Sequence, residues 1–213
     1  MTPNRSEGKS AVATRRGDDG TTGLLFGGQR VFKDEPRTEA YGAIDEAIAA
    51  LGLARAELGS MAERGTLPRM LERLPDLILR LQRELFVAGA ELATTPAAIE
   101  RQKPGETRVT AAMVAGLDEV LAETEAAIEM PSEFVVPGET RLSAALEVAR
   151  TVVRRAERRA VSIRRAEPIA NDSLVPYLNR LADLIWVLAR AAEQGESRQA
   201  TPSRSKPAGA LPE

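Results

Sequence analysis

The 213-residue chain contains no cysteine and no histidine. The first absence excludes disulfides, thiolate metal sites and cysteine nucleophiles, and suits a reducing compartment. The second excludes Ser/His/Asp triads, imidazole general bases and histidine metal sites, leaving carboxylates and phosphate oxygens as ligands for a hard cation. Aromatic residues are only 3% of the chain. No apolar run approaches the roughly 20 residues that a membrane helix needs, and Met1 to Ala13 has no signal-peptide core, so a cytoplasmic protein is expected. Net charge is also nearly absent, at −2. Global attraction to nucleic acid or membrane is therefore not indicated, whereas unevenly placed arginines favour a local anion site.

What remains is ordinary for one globular domain: 43% hydrophobic and 28% charged residues. Residues 1–12 and 195–213 are polar, without period, and read as disordered tails around a domain spanning 13–194. Within it, apolar residues recur at helical spacing in five stretches. The first starts near Pro36 and stops near Gly59. The second runs from about Pro68 to Leu92, with Pro75 expected to kink it or delay its start. The third begins with Thr110 as N-cap. The fourth spans about Glu139 to Arg165, and the fifth runs from Asp172 or Ser173 to about Gly195. No convincing alternating run indicates a strand, so an all-α five-helix bundle is expected.

Several constellations could carry chemistry. Residues 14–33 combine Thr14, Arg15, Arg16, Gly17, Thr22 and Gly23 with Gly27, Gly28, Arg30 and Lys33. Glycines let backbone N–H groups converge on an anion while hydroxyls and cations surround it. The spacing is neither a Walker A loop nor a dinucleotide fingerprint, and alone it equally describes a solvated turn. On the fourth helix Arg150, Arg154, Glu157 and Arg158 share a face, with Arg155, Arg159, Arg164 and Arg165 nearby. One acid cannot neutralise so many guanidinium groups. Arginine suits bidentate phosphate recognition, although a surface helix balanced by its neighbours is the plainer reading. Asn179 and Asp183, four apart on the fifth helix, fit interhelical bonding or capping. Asp45 and Glu46 point about 100° apart, so they are not an acid/base pair, but either can meet an arginine of helix four. Phe134, in PSEFVVPGET, is a core anchor or a loop wedge.

Taken in order, TRRGDDGTTGLLFGGQRVFKDEPRTEAYGAIDE (14–46), FVVPGET (134–140), ARTVVRRAERR (149–159) and YLNRLADLIWVLAR (177–190) resemble the PduO-type ATP:cob(I)alamin adenosyltransferases. The resemblance covers nearly the whole chain between its tails. It implies a ferritin-like five-helix bundle, a homotrimer with sites between subunits, and transfer of the 5′-deoxyadenosyl group of ATP to cob(I)alamin. By matching position it assigns ATP contacts to Thr14, Arg15, Arg16, Gly17, Thr22, Gly23, Lys33, Arg154, Arg155, Glu157, Arg158 and Asn179. It implies catalytic roles for Arg154, Arg150 and Asp45, the last two as an intersubunit ion pair, and a Phe134 lying against the corrin. It further implies Mg²⁺ held mainly by the ATP phosphates, K⁺ as an additional cation, and a flavin-dependent reductase that brings cob(II)alamin to cob(I)alamin. A B12-dependent enzyme would receive the product. The alternative is a non-catalytic homologue that binds ATP or a tetrapyrrole. Two departures stand out: Ala47-Ile48 where the family often has Leu-Asn, and Glu139 where a second glycine is common.

Overall fold

The computed structural model describes residues 13–167 and 171–204. Five α-helices form the bundle: α1 Pro36–Glu63, α2 Leu74–Leu92, α3 Ala111–Ala127, α4 Arg141–Ala166 and α5 Leu174–Gly195. Two short antiparallel ladders flank it, β1 Thr21–Thr22 with β2 Val31–Phe32, and β3 Val135–Val136 with β4 Thr201–Pro202. None of the described helices is long and apolar enough to cross a membrane.

Local chemistry sets the helix ends. Pro36 lies in the first turn of α1, where a missing N–H costs nothing. Pro75 does the same for α2, so it delays that helix behind a 3₁₀ turn at Arg69–Leu71 and does not kink it. Thr110 caps α3 by accepting the Met113 N–H at 3.2 Å. Thr140 and Ser143 form a reciprocal capping box at the start of α4. The expected stop of α1 at Gly59 is incorrect. The helix continues because Met61 is buried in its last turn. It ends at Gly65, φ +66°, where the Gly65 and Thr66 N–H groups donate to the Ala62 and Met61 carbonyls. That is a Schellman closure, and its left-handed residue is one that glycine adopts without a Cβ penalty.

Helix α1 packs on α2 and α4, α4 on α5, and α3 on α5. The core joins Ile44, Leu51 and Leu58 of α1, Leu81 and Leu85 of α2, Leu146 and Val153 of α4, and Leu178, Leu181 and Ile185 of α5. Burying each such side chain contributes about 1.5–3 kcal/mol. Alanines 40, 43 and 47 of α1 and 149, 156 and 160 of α4 are buried too, small enough to let adjacent helices approach closely. Ile48 is partly buried against this core and Ala47 fully buried, so the Ala47-Ile48 departure is absorbed by packing.

Ion pairs fix the direction of α1 against α4. Arg37 meets Glu167 at 2.5 Å, Glu39 meets Arg159 at 3.5 Å, and Glu46 pairs with Arg155. The numbers rise on one helix as they fall on the other, so the two are antiparallel.

The polar segment after Gly195 differs from its expected disorder. Ser197 turns the chain at φ +57°, and residues as far as Arg204 fold back so that β4 pairs with β3. Backbone ladder bonds, which composition does not report, supply the order. Residues 1–12 and 205–213 lie outside the described residues.

Candidate functional site

The N-terminal loop folds on itself. β1 and β2 close a hairpin-like turn in which Lys33 Nζ donates to the Gly17 carbonyl at 2.7 Å. A Cβ added to Gly17 would stand 3.0 Å from that ammonium and 3.1 Å from the Thr21 carbonyl, so a bare backbone allows the close approach. The Arg30 guanidinium donates to the Arg16 carbonyl at 2.7 Å and to the Thr21 carbonyl at 2.9 Å. Asp19 accepts the Thr21 N–H and hydroxyl, and these bonds, with Arg30 nearby, hold its carboxyl below the usual carboxylate range. Thr22 is half-buried, while Thr14, Arg15, Arg16 and Gly23 are exposed. The loop is moored to the bundle by the Leu25 N–H on the Ala93 carbonyl and by Arg101, which bonds the Phe26 carbonyl and lies 4.7 Å from that ring's centroid.

On α4, Arg154 is held from two sides. It pairs with Glu157 at 3.0 Å, one turn on, and donates to Asn179 Oδ1 of α5 at 3.1 Å. Glu157 thus holds Arg154 from its own helix and Asn179 from the neighbouring one. Arg155 turns the other way, to Glu46 of α1. Arg158 is exposed. Arg164, at the end of α4, bonds Asp172 at 2.8 Å, away from this group.

A cavity of about 720 Å³ opens between α3, α4, α5 and the loop before α4. Arg150 and Arg154 form a cationic wall, while Phe134, Trp186 and Val187 supply apolar surface. The volume suits a large organic ligand anchored by a few polar groups. Phe134 is 88% exposed, which rules out the core-anchor reading and leaves it as a free aromatic edge at the cavity mouth. Asp183, also on the lining, pairs with Arg180 at 3.3 Å, in keeping with structural duty.

Asp45 does not share this cavity. It lines a separate apolar groove with Leu25, Tyr41 and Phe86, so one chain does not bring it to Arg150. Arg150 is engaged by Glu147, Nε to Oε2 at 2.6 Å.

Sequence reasoning missed Glu147, which is buried and also meets the fully buried Arg190 at 3.1 Å. Arg190 further pairs with Glu193 at 2.9 Å and lies 5.6 Å from the Trp186 ring centroid. Burial raises the Glu193 carboxyl despite the opposing pull of Arg190. The available signal was the i, i+3 spacing of Glu147 and Arg150 and of Arg190 and Glu193. Among the described residues no three acidic side chains gather where a metal ion could sit.

The chain matches the family model for cobalamin adenosyltransferase over residues 12–192. It is 40% identical over 181 residues to a cobalamin adenosyltransferase of Cupriavidus metallidurans, covering 85% of this chain and 87% of that one. It is 36% identical over 190 residues to the corrinoid adenosyltransferase PduO of Salmonella typhimurium, covering 89% of this chain but only 52%, about half, of that relative. Among solved structures, a variant PduO-type ATP:corrinoid adenosyltransferase from Lactobacillus reuteri, complexed with cobalamin and ATP, superimposes with a TM-score of 0.77. Its sequence is 30% identical, and the match covers 90% of this chain and 98% of that one. A family match across nearly all of the helical domain, and a shared fold at that identity, lead to one conclusion: the chain belongs to the cobalamin adenosyltransferase family.

Proposed function

We propose that the chain transfers the 5′-deoxyadenosyl group of ATP to cob(I)alamin, giving adenosylcobalamin and triphosphate. The observation that carries this reading is the cavity wall, where Arg150 and Arg154 face the aromatic edges of Phe134 and Trp186. It offers cations for a polyanion beside apolar surface for a macrocycle. Cob(I)alamin uses its cobalt electron pair to attack the ribose C5′. The Co–C bond forms as the C5′–O bond breaks, and its electrons leave with the triphosphate. No proton moves to the enzyme, so a chain without cysteine or histidine is sufficient.

The protein's tasks are alignment and charge. Arg154, preorganised by Glu157 and Asn179, meets charge developing on the leaving triphosphate. Thr14, Arg15, Arg16, Gly17, Thr22, Gly23 and Lys33 would surround the phosphates, with Arg155 and Arg158 completing the cationic rim. Phe134 would lie on the corrin and exclude its lower axial ligand. Mg²⁺ would be carried on the triphosphate oxygens and supply further charge neutralisation there, with K⁺ as an added cation.

Helix geometry supports a site shared between subunits. Arg37 ties α1 to the far end of α4 near Glu167, and Leu25 moors the loop to the same end through Ala93. Arg154 lies thirteen residues back along α4, roughly 20 Å at 1.5 Å per residue. The loop of one chain and the arginine of another meet if the protein assembles as a homotrimer, which also lets Asp45 of one subunit reach the open edge of Arg150 on the next. A flavin-dependent reductase would supply the electron that makes cob(I)alamin, and a B12-dependent enzyme would take the product, all in the cytoplasm.

Anaerobic incubation with ATP, Mg²⁺ and chemically reduced cobalamin should produce the adenosylcobalamin spectrum and stoichiometric triphosphate. Corrinoid and ATP binding without either product would replace the enzyme by a carrier.

A further inference from the structure

The loop that presents Phe134 has little packing of its own. Phe134 and Val136 are exposed, and a second cavity of about 650 Å³, lined by Glu129, Val135, Arg190 and Pro202 among others, lies beneath the loop. Hydrogen bonds to the last turn of α5 and to the segment after it hold it instead. At its start, Gln194 makes a reciprocal pair with the Glu129 backbone: the Glu129 N–H donates to Gln194 Oε1 at 2.9 Å, and Gln194 Nε2 donates to the Glu129 carbonyl at 2.6 Å. At the other end, Val135 and Val136 pair with Pro202 and Thr201, and the Ser203 N–H donates to the Phe134 carbonyl at 2.7 Å. The bond to Phe134 is thus made by the residue immediately after β4. All of these clamping groups lie beyond residue 192, where the family match ends.

We infer that Gln194 and Thr201–Ser203 act as a clamp that positions Phe134 over the 720 Å³ cavity and thereby sets affinity for the corrinoid. The inference rests on the proposed corrinoid site. A loop fixed by ladder bonds is already seated when the macrocycle arrives. Released, it samples other conformations, and apparent affinity falls by the fraction of time it remains seated. Gln194 and Ser203 are positioning residues, since each acts through the loop backbone.

Trp186 is the only tryptophan in the chain and lines the same cavity, so corrinoid binding can be read from quenching of its fluorescence. Three proteins would be titrated with cob(II)alamin at saturating ATP: the full chain, a chain ending at Ala200, and the full-length Ser203→Pro variant, which lacks the N–H donor. The clamp predicts that both altered chains bind cob(II)alamin about tenfold more weakly, the loss expected if the loop is seated roughly a tenth of the time. The KM for cob(I)alamin should rise likewise while the KM for ATP stays unchanged. Phe134→Ala should then cost little more in the shortened chain, although it is costly in the full one, because the two changes act through one group. Unchanged corrinoid affinity in a folded Ser203→Pro protein would overturn the inference, as would a full additive cost of Phe134→Ala in the shortened chain. If the full chain binds cob(II)alamin but forms no adenosylcobalamin, the proposed reaction fails while the titration still decides the clamp.

Discussion

At the scale of single residues, the proposed chemistry rests on arginines that look alike in sequence and differ in what holds them. Arg154 is fixed by Glu157 and Asn179 beside the cavity, whereas Arg164 bonds an exposed aspartate near the helix end. Arg154→Ala should therefore lower kcat/KM by about 10²–10³-fold, the usual loss when a preorganised donor to a leaving group is removed. Arg164→Ala should leave it close to the parent value. Steady-state rates of adenosylcobalamin formation compare the two directly, and equal losses would refute the assignment of faces. The helical period made the face of Arg150, Arg154 and Glu157 legible. The expectation that Asp45 or Glu46 meets an arginine of helix four is met by Glu46 and Arg155, but neither which arginine, nor Glu147 between Arg150 and Arg190, was legible, because both depend on the neighbouring helix.

At the scale of elements, the long apolar stripes of α2 and α5 were readable because their period matches their burial. Thr110 and Pro75 marked boundaries through local chemistry alone. Gly59 misled, since α1 runs on to bury Met61, a tertiary fact, and stops only where Gly65 supplies a left-handed closure. The β3–β4 ladder was not legible at all, as it joins residues more than sixty apart through backbone groups that no side-chain pattern encodes. A buried link between elements also makes a prediction. Glu91 at the end of α2 accepts the Val109 N–H at 2.7 Å and the Asn171 amide at 2.8 Å, and burial lifts its carboxyl above the ordinary 4.5 despite those bonds. With the folded pKa raised, the native chain holds more protons than the unfolded one as pH climbs from 4.5 through the raised value. Stability from this group is accordingly greatest below that window and declines through it. Glu91→Gln should flatten this part of the dependence of urea midpoint on pH. An unaltered slope would show that Glu91 does not titrate there.

At the scale of the whole molecule, the bundle separates its parts. The antiparallel course of α1 against α4 carries the N-terminal loop to one end, and the cavity wall begins roughly 20 Å away. If each site draws its loop from one chain and its arginine from the next, damage to the two halves is not equivalent to damage to one chain. Lys33→Ala and Arg154→Ala proteins, each nearly inactive alone, should complement when coexpressed. Random mixing around a ring would leave about a quarter of the sites with both an intact loop and an intact helix. Activity of the purified mixed oligomer measures that fraction, and no recovery would mean that every site is built from a single chain. On that arrangement two broken copies make one working site, and the unit on which a mutation acts would be the interface and not the polypeptide.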